Sequence, residues 1–154
     1  MNSYGRLRGS VSTRLVTGID PKTDGGRAKA FLNGAGECLI GAKKLDDGFS
    51  NLTGEYILTF HALELALKSF LAKSGLTNQQ LKRKPYGHNL VNLYAEAQTR
   101  GLSISLPDAE HLIKWSNEFH DGDAFVRYEF TITRELPMCA VLFPLIEEVL
   151  SASK

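Results

Sequence analysis

Three titratable side chains, His61, Glu64 and Lys68, share one narrow stripe of a segment that is otherwise apolar, GEYILTFHALELALKSFLAK, residues 54–73. Glutamate precedes lysine by four positions, the favourable order for an ion pair along a helix. On a solvated face such a pair contributes only ~0.3–0.5 kcal/mol. Buried, the loss of one partner costs ~3–5 kcal/mol, because the other charge is stranded. Downstream, Lys82, Arg83, Lys84, Pro85 and Tyr86, followed by His88, form the densest basic cluster. Cations beside an aromatic ring suit phosphate contacts and base stacking; a solvated loop has the same composition. His120, Asp121, Gly122 and Asp123 bring an imidazole and carboxylates together. They lack the further glutamate and spacing of a calcium loop, and a turn at a helix end accounts for them, so no metal and no cofactor is expected. Gly34-x-Gly36 follows no strand and is not a dinucleotide fingerprint. No serine, threonine or cysteine stands in a nucleophile context.

The elements that must position these groups are mostly helical. Residues 54–73 are long enough for a helix of about five turns. Leu58, Phe60, Leu63, Leu65, Leu67, Phe70 and Leu71 cover most of its circumference. A helix apolar on nearly every side belongs at the centre of a bundle. Thr53 is its expected N-cap, and Glu55 complements the positive helix end. His61, Glu64 and Lys68 are expected to belong to a buried polar cluster on this helix.

A first helix is expected from about Arg27 to Asp47. It contains Gly34, Gly36 and Gly41, each costing about 1 kcal/mol against alanine, which implies either close approach of a neighbour or an interruption. Gly75–Leu76 and Gly101–Leu102 read as two matching helix stops, glycine left-handed and leucine packing back. Between them, His88 to Arg100 is amphipathic, with Leu90, Leu93, Tyr94 and Ala97 on one face. A further helix is expected from Pro107, presenting Leu112, Trp115 and Phe119 to the core. Val126, Tyr128, Phe130 and Ile132 then alternate with polar residues, a period of two. The alternating stretch from Val11 to Leu15 is its expected partner in a small two-stranded β ribbon. The last helix is expected from Pro137, with Met138, Val141, Leu142, Leu145 and Val149 on one face, and Pro144 is expected to kink it or divide it. The sum is an all-α bundle of about five helices.

The totals agree with that architecture. The chain has 154 residues, 43% of them hydrophobic, and a net charge of +1. That is enough for one domain with a real core. It divides into a flexible or strand-forming amino-terminal arm, residues 1–26, and a helical domain, residues 27–154. A near-neutral balance excludes a broadly basic nucleic-acid binder, so any such role rests on a local patch. Cys38 and Cys139 show neither a disulfide framework nor zinc spacing. No apolar run reaches the ~18 residues of a membrane span, and no signal peptide follows Met1; a cytoplasmic protein that does not engage a membrane is expected.

HALELALKSFLAKSGL (61–76), the basic connector, GHNLVNLYAEAQTRGL (87–102), and Phe-Val-Arg-Tyr at 125–128 together resemble the HEPN family, the "higher eukaryotes and prokaryotes nucleotide-binding" domains. The resemblance spans about residues 27–150, and it implies that His88 enters beside Glu64 and Lys68, completing a buried polar cluster that braces two helices. It implies a HEPN-like bundle of four or five helices, frequent homodimers, and one of two roles. Some members are metal-independent ribonucleases of toxin–antitoxin and phage-defence systems. Others are non-catalytic modules that dimerise and bind a nucleotide, RNA or protein partner, often beside a nucleotidyltransferase. The catalytic members carry an arginine and, four to six residues on, a histidine on a late helix. Arginine would hold the scissile phosphate and histidine would move the 2′-hydroxyl proton.

Here Arg127 and Arg134 have no histidine after them, because His120 is the last one. Arg83 and His88 match the spacing, but Pro85 and Gly87 lie between them. The resemblance therefore implies a non-catalytic module binding through Lys82, Arg83, Lys84, Tyr86, His88, Arg127 and Tyr128. The alternative is a ribonuclease using Arg83 or Arg127 with His88 or His120.

Overall fold

The computed structural model describes residues 22–46, 52–122 and 138–154. Six α-helices lie among them: α1 (Asp24–Leu45), α2 (Leu52–Lys73), α3 (Asn78–Lys82), α4 (Leu90–Thr99), α5 (Ala109–Asn117) and α6 (Phe143–Ala152). A π-helical turn, Glu118–Gly122, extends α5, and a 3₁₀ turn, Cys139–Val141, precedes α6. No strand occurs among the described residues. Both halves of the expected ribbon, Val11–Leu15 and 126–132, lie outside them, as does most of the 1–26 arm.

The protein is an all-α bundle built around α2, which packs against α1, α3, α4 and α6. Its Phe60, Leu63, Leu67 and Leu71 are fully buried. Ala35, Leu39 and Ala42 of α1, Leu90 and Leu93 of α4, and Leu145, Ile146 and Val149 of α6 complete the core. Burying a side chain of this kind contributes ~1.5–3 kcal/mol. No described helix is long and apolar enough to cross a membrane.

The glycines of α1 divide into two kinds. A Cβ on Gly34 or Gly41 would meet a Leu65 or Leu58 methyl carbon of α2 at 3.2 or 3.0 Å, so α1 approaches α2 closely there. At Gly36 a Cβ would meet nothing within 4 Å. Gly36→Ala is therefore expected to stabilise the protein by ~0.5–1 kcal/mol through backbone entropy alone. Gly41→Ala should gain less or lose, since Leu58 must yield. Thermal denaturation of the two variants checks this, and equal shifts would rule out the packing distinction.

Both glycine–leucine stops form. Gly75 and Gly101 each have φ +97°. Leu76 N–H donates to the Leu71 carbonyl at 3.0 Å and Leu102 N–H to that of Ala97 at 2.9 Å. Both leucines are buried, which is the Schellman arrangement with its hydrophobic contact.

Helix starts differ from the sequence expectation in four places. α1 begins at Asp24, because the Thr23 hydroxyl accepts from Gly26 N–H at 3.0 Å. Leu52 opens α2, so Thr53 lies in the first turn instead of capping it. Asp108 takes a left-handed conformation, φ +62°, which delays α5 from Pro107 to Ala109. The delay favours a buried face of Ala109, Ile113 and Ser116, with Leu112 and Trp115 only partly covered. Finally, α6 starts at Phe143 instead of Pro137: the expected helix is divided, with the 3₁₀ turn Cys139–Val141 before the break and Pro144 in the first turn of α6, where its missing N–H has no intrahelical partner to lose. Met138 and Val141 precede that helix and are exposed.

Candidate functional site

Glu64 lies at the middle of α2 and is 2% exposed. A buried carboxylate requires partners, and three converge on it. Lys68, one turn along the same helix, places Nζ 2.6 Å from Oε1. His120 places Nε2 2.5 Å from Oε2, and His88 places Nδ1 3.0 Å from the same oxygen. Lys68 and His120 are buried, whereas the His88 side chain remains 56% exposed. An ionised carboxylate only accepts hydrogen bonds. In this arrangement His120 therefore carries its proton on Nε2, and His88 carries one on Nδ1.

Burial by itself would raise the Glu64 pKa. The His120 hydrogen bond, the Lys68 charge and hydrogen bond, and the His88 hydrogen bond outweigh it and hold the carboxyl well below its usual range.

Two local structures bring the histidines in. The chain from Arg83 to Asn89 is a hydrogen-bonded turn: Tyr86 N–H and Gly87 N–H donate to the Arg83 carbonyl at 3.0 and 3.1 Å, and Asn89 N–H donates to Tyr86 at 2.7 Å. Gly87 has φ +47°, in the left-handed region that favours glycine. The Asn89 side chain caps α4 by accepting from Asn92 N–H at 2.8 Å. On the other side, the wider π-helical turn directs His120 inward, a departure from α-geometry often found at functional sites. Asn89 Nδ2 donates to Asp121 Oδ2 at 2.7 Å, and Leu90 N–H donates to Asn117 Oδ1 at 2.7 Å, so the two segments are tied together. The His120 ring lies edge-on to Phe60 and to His88, with centroids 6.1 and 6.0 Å apart.

The buried polar group is thus Glu64, Lys68 and His120, with His88 at its rim. His61 is exposed on α2 and is not one of the partners of Glu64: it sits nearly a full turn before Glu64, on the solvent side of the rod. His120 had no sequence signal for joining the group. Its distance of 56 positions from Glu64 is bridged only by the fold. The quartet at 120–123 does not converge on one point, since His120 turns inward and Asp121 outward to Asn89; Asp123 lies outside the described residues.

Lys82, Arg83 and Lys84 are exposed. None of them is in an ion pair among the described residues. The capping box of α3, Thr77 with Gln80, fixes the start of this connector. Asn92 Nδ2, donating to the Pro85 carbonyl at 2.8 Å, fixes its end. Tyr86 is half-buried against the core, near Glu96. Arg127 and Tyr128 lie outside the described residues.

A second buried polar group surrounds Cys139. Its thiol lies near the buried Thr59 and Glu55, and Thr59 Oγ1 donates to the Glu55 carbonyl at 2.8 Å. Neither Cys139 nor Cys38 is in a disulfide. Burial, ahead of the neighbouring carboxylates, pushes the Cys139 pKa up to about 12, and burial likewise raises that of Tyr56. An unfolded cysteine ionises near about 8.5. Between about pH 9 and 12 the folded chain therefore holds more protons than the unfolded one, and stability falls as pH rises through that window. The loss reaches up to ~1.4 kcal/mol per pH unit for Cys139. Urea denaturation should show no contribution from this group below about pH 8 and a decline above about pH 9 that is shallower in Cys139→Val; an identical decline in that variant would refute the assignment.

Glu64, His88 and His120 are also the group among the described residues whose ligand atoms could hold a metal ion, all within 4.8 Å of one another. Fold and site together define an all-α bundle with a carboxylate–imidazole–ammonium cluster beside an exposed basic turn. No protein-family model, curated protein or solved structure matches the chain.

Proposed function

We propose that this chain is a non-catalytic, HEPN-like helical module that dimerises and binds RNA, or a nucleotide, through the basic turn at residues 82–88. One observation carries the reading. Three exposed cations, Lys82, Arg83 and Lys84, stand on a turn held at both ends by side-chain hydrogen bonds, with His88 exposed beside them. A rigid cationic turn meets a phosphate chain with little ordering cost. Glu64 supports the absence of catalysis: with three partners it is saturated and strongly ionised, a poor proton acceptor near neutral pH. Exposed Ile40, Ile57 and Val141 supply apolar surface for self-association. A protein partner such as a nucleotidyltransferase would use the same faces.

One observation favours a second reading, a metal-independent ribonuclease. His88 and His120 lie 6.0 Å apart on one carboxylate, and two imidazoles at that range could divide general-acid and general-base roles.

Single-stranded and hairpin RNA incubated with the protein, with and without chelator, is expected to stay intact and to bind in a fluorescence anisotropy titration. Changing Lys82, Arg83 and Lys84 together to alanine should flatten the salt dependence by about three phosphate contacts. Cleavage abolished by both His88→Ala and Arg83→Ala would establish the enzyme instead. Unchanged binding in the triple variant would remove the turn from consideration. Size-exclusion chromatography with light scattering reports the dimer independently.

A further inference from the structure

We propose that Glu64, His88 and His120 form a binding site for a divalent transition ion of the zinc type, with Lys68 as the residue that orients the carboxylate. The inference stands apart from the RNA reading, since none of its measurements uses RNA.

The donor set is one carboxylate oxygen and two imidazole nitrogens. Borderline ions take this combination, which as three protein ligands leaves a fourth position for solvent. The placement is close to what an ion needs. Oε2 of Glu64 lies 2.5 Å from His120 Nε2 and 3.0 Å from His88 Nδ1. Around a tetrahedral zinc with bonds of about 2.0–2.1 Å, ligand atoms stand about 3.3 Å apart. The two carboxylate–imidazole contacts must open by less than an ångström, while the two ring nitrogens, which lie within 4.8 Å of each other, must settle at that same spacing; His88, half in solvent at the rim, is the member able to move. The proton balance is simple. Each neutral imidazole shifts its proton to its other ring nitrogen, leaving Nδ1 of His88 and Nε2 of His120 to bind the ion.

The supporting shell is in place. Lys68 Nζ on Oε1, at 2.6 Å, aims Oε2 at the two nitrogens. Phe60 packs against the His120 ring, and the Asn89–Asp121 and Leu90–Asn117 hydrogen bonds hold the two backbone segments together. Such outer contacts usually decide 10–100-fold in affinity. Lys68 also opposes the ion electrostatically, since its ammonium stays within one carboxylate width of it. The site is therefore expected to be weaker than one with a neutral outer partner.

The test uses the full chain, stripped with chelator and titrated with Zn²⁺ by calorimetry and with Co²⁺ by visible absorption. One ion per chain, a rise in melting temperature with Zn²⁺, and the intense visible bands of four-coordinate Co²⁺ are expected. His88→Ala removes a ligand from an exposed position, so it folds, and it should weaken binding on the order of ten- to hundred-fold. His120→Asn should do the same. His111→Ala, at an exposed position off the cluster, should bind as the parent does. Absence of one-to-one binding, or an affinity unchanged in His88→Ala, overturns the proposal.

Discussion

Lys68→Met is expected to lower the free energy of unfolding by about 3–5 kcal/mol, because Lys68 is buried together with Glu64. The loss comes less from the ion pair than from what remains: Glu64, 2% exposed, would keep its charge with only imidazole partners. A control separates burial from pair geometry. Glu110 and Lys114 have the same order and spacing at 2.9 Å, but their side chains are 70% and 61% exposed. Lys114→Met should therefore cost only ~0.3–0.5 kcal/mol. Glu64→Leu combined with Lys68→Met removes both charges, and should recover much of what Lys68→Met alone loses, because apolar replacement of a buried pair is often nearly neutral. Urea denaturation of the three variants gives the comparison. Similar small losses at Lys68 and Lys114 would mean that water reaches the Glu64 cluster freely.

Phe60→Ala is expected to cost about 3–5 kcal/mol, the usual range for truncating a fully buried aromatic. Phe60 is 0% exposed, and its ring meets Tyr56 at 5.7 Å, Trp115 at 6.3 Å and His120 at 6.1 Å. It joins the apolar core to the polar cluster. Its removal leaves a cavity and also frees His120 from one wall. Phe60→Leu keeps most of the volume and should cost less than ~1.5 kcal/mol. Chemical denaturation with Trp115 fluorescence as the probe reads both. A loss below ~1 kcal/mol for the alanine variant would show that Phe60 is not a central packing residue.

How much of this was legible beforehand depends on the range of the interactions. The centrality of α2 could be read directly, since a helix apolar on nearly all sides has nowhere else to go. The stops at Gly75 and Gly101 were equally readable, because a left-handed glycine followed by an apolar residue is a local motif. The pairing of Glu64 with Lys68 follows from spacing on one helix. Other starts were misread for local reasons that sequence underdetermines. Proline is suited to a first turn as well as disruptive in an interior, and at Pro144 both hold: the helix is divided there and starts again with the proline in its first turn. At Pro107, the left-handed Asp108 moved the start of α5 by two residues and rotated the face it buries.

The residues alone determined an all-α bundle, a buried rod, and a glutamate and lysine one turn apart on it, because helical periodicity and end signals act within a few positions. Tertiary structure alone decided that His120 completes the cluster, that His61 does not, and that His88 stands at the rim. Those outcomes rest on contacts across 24 and 56 positions of chain. Such contacts depend on how turns and helix ends aim side chains in space, and no periodicity in the sequence records that direction.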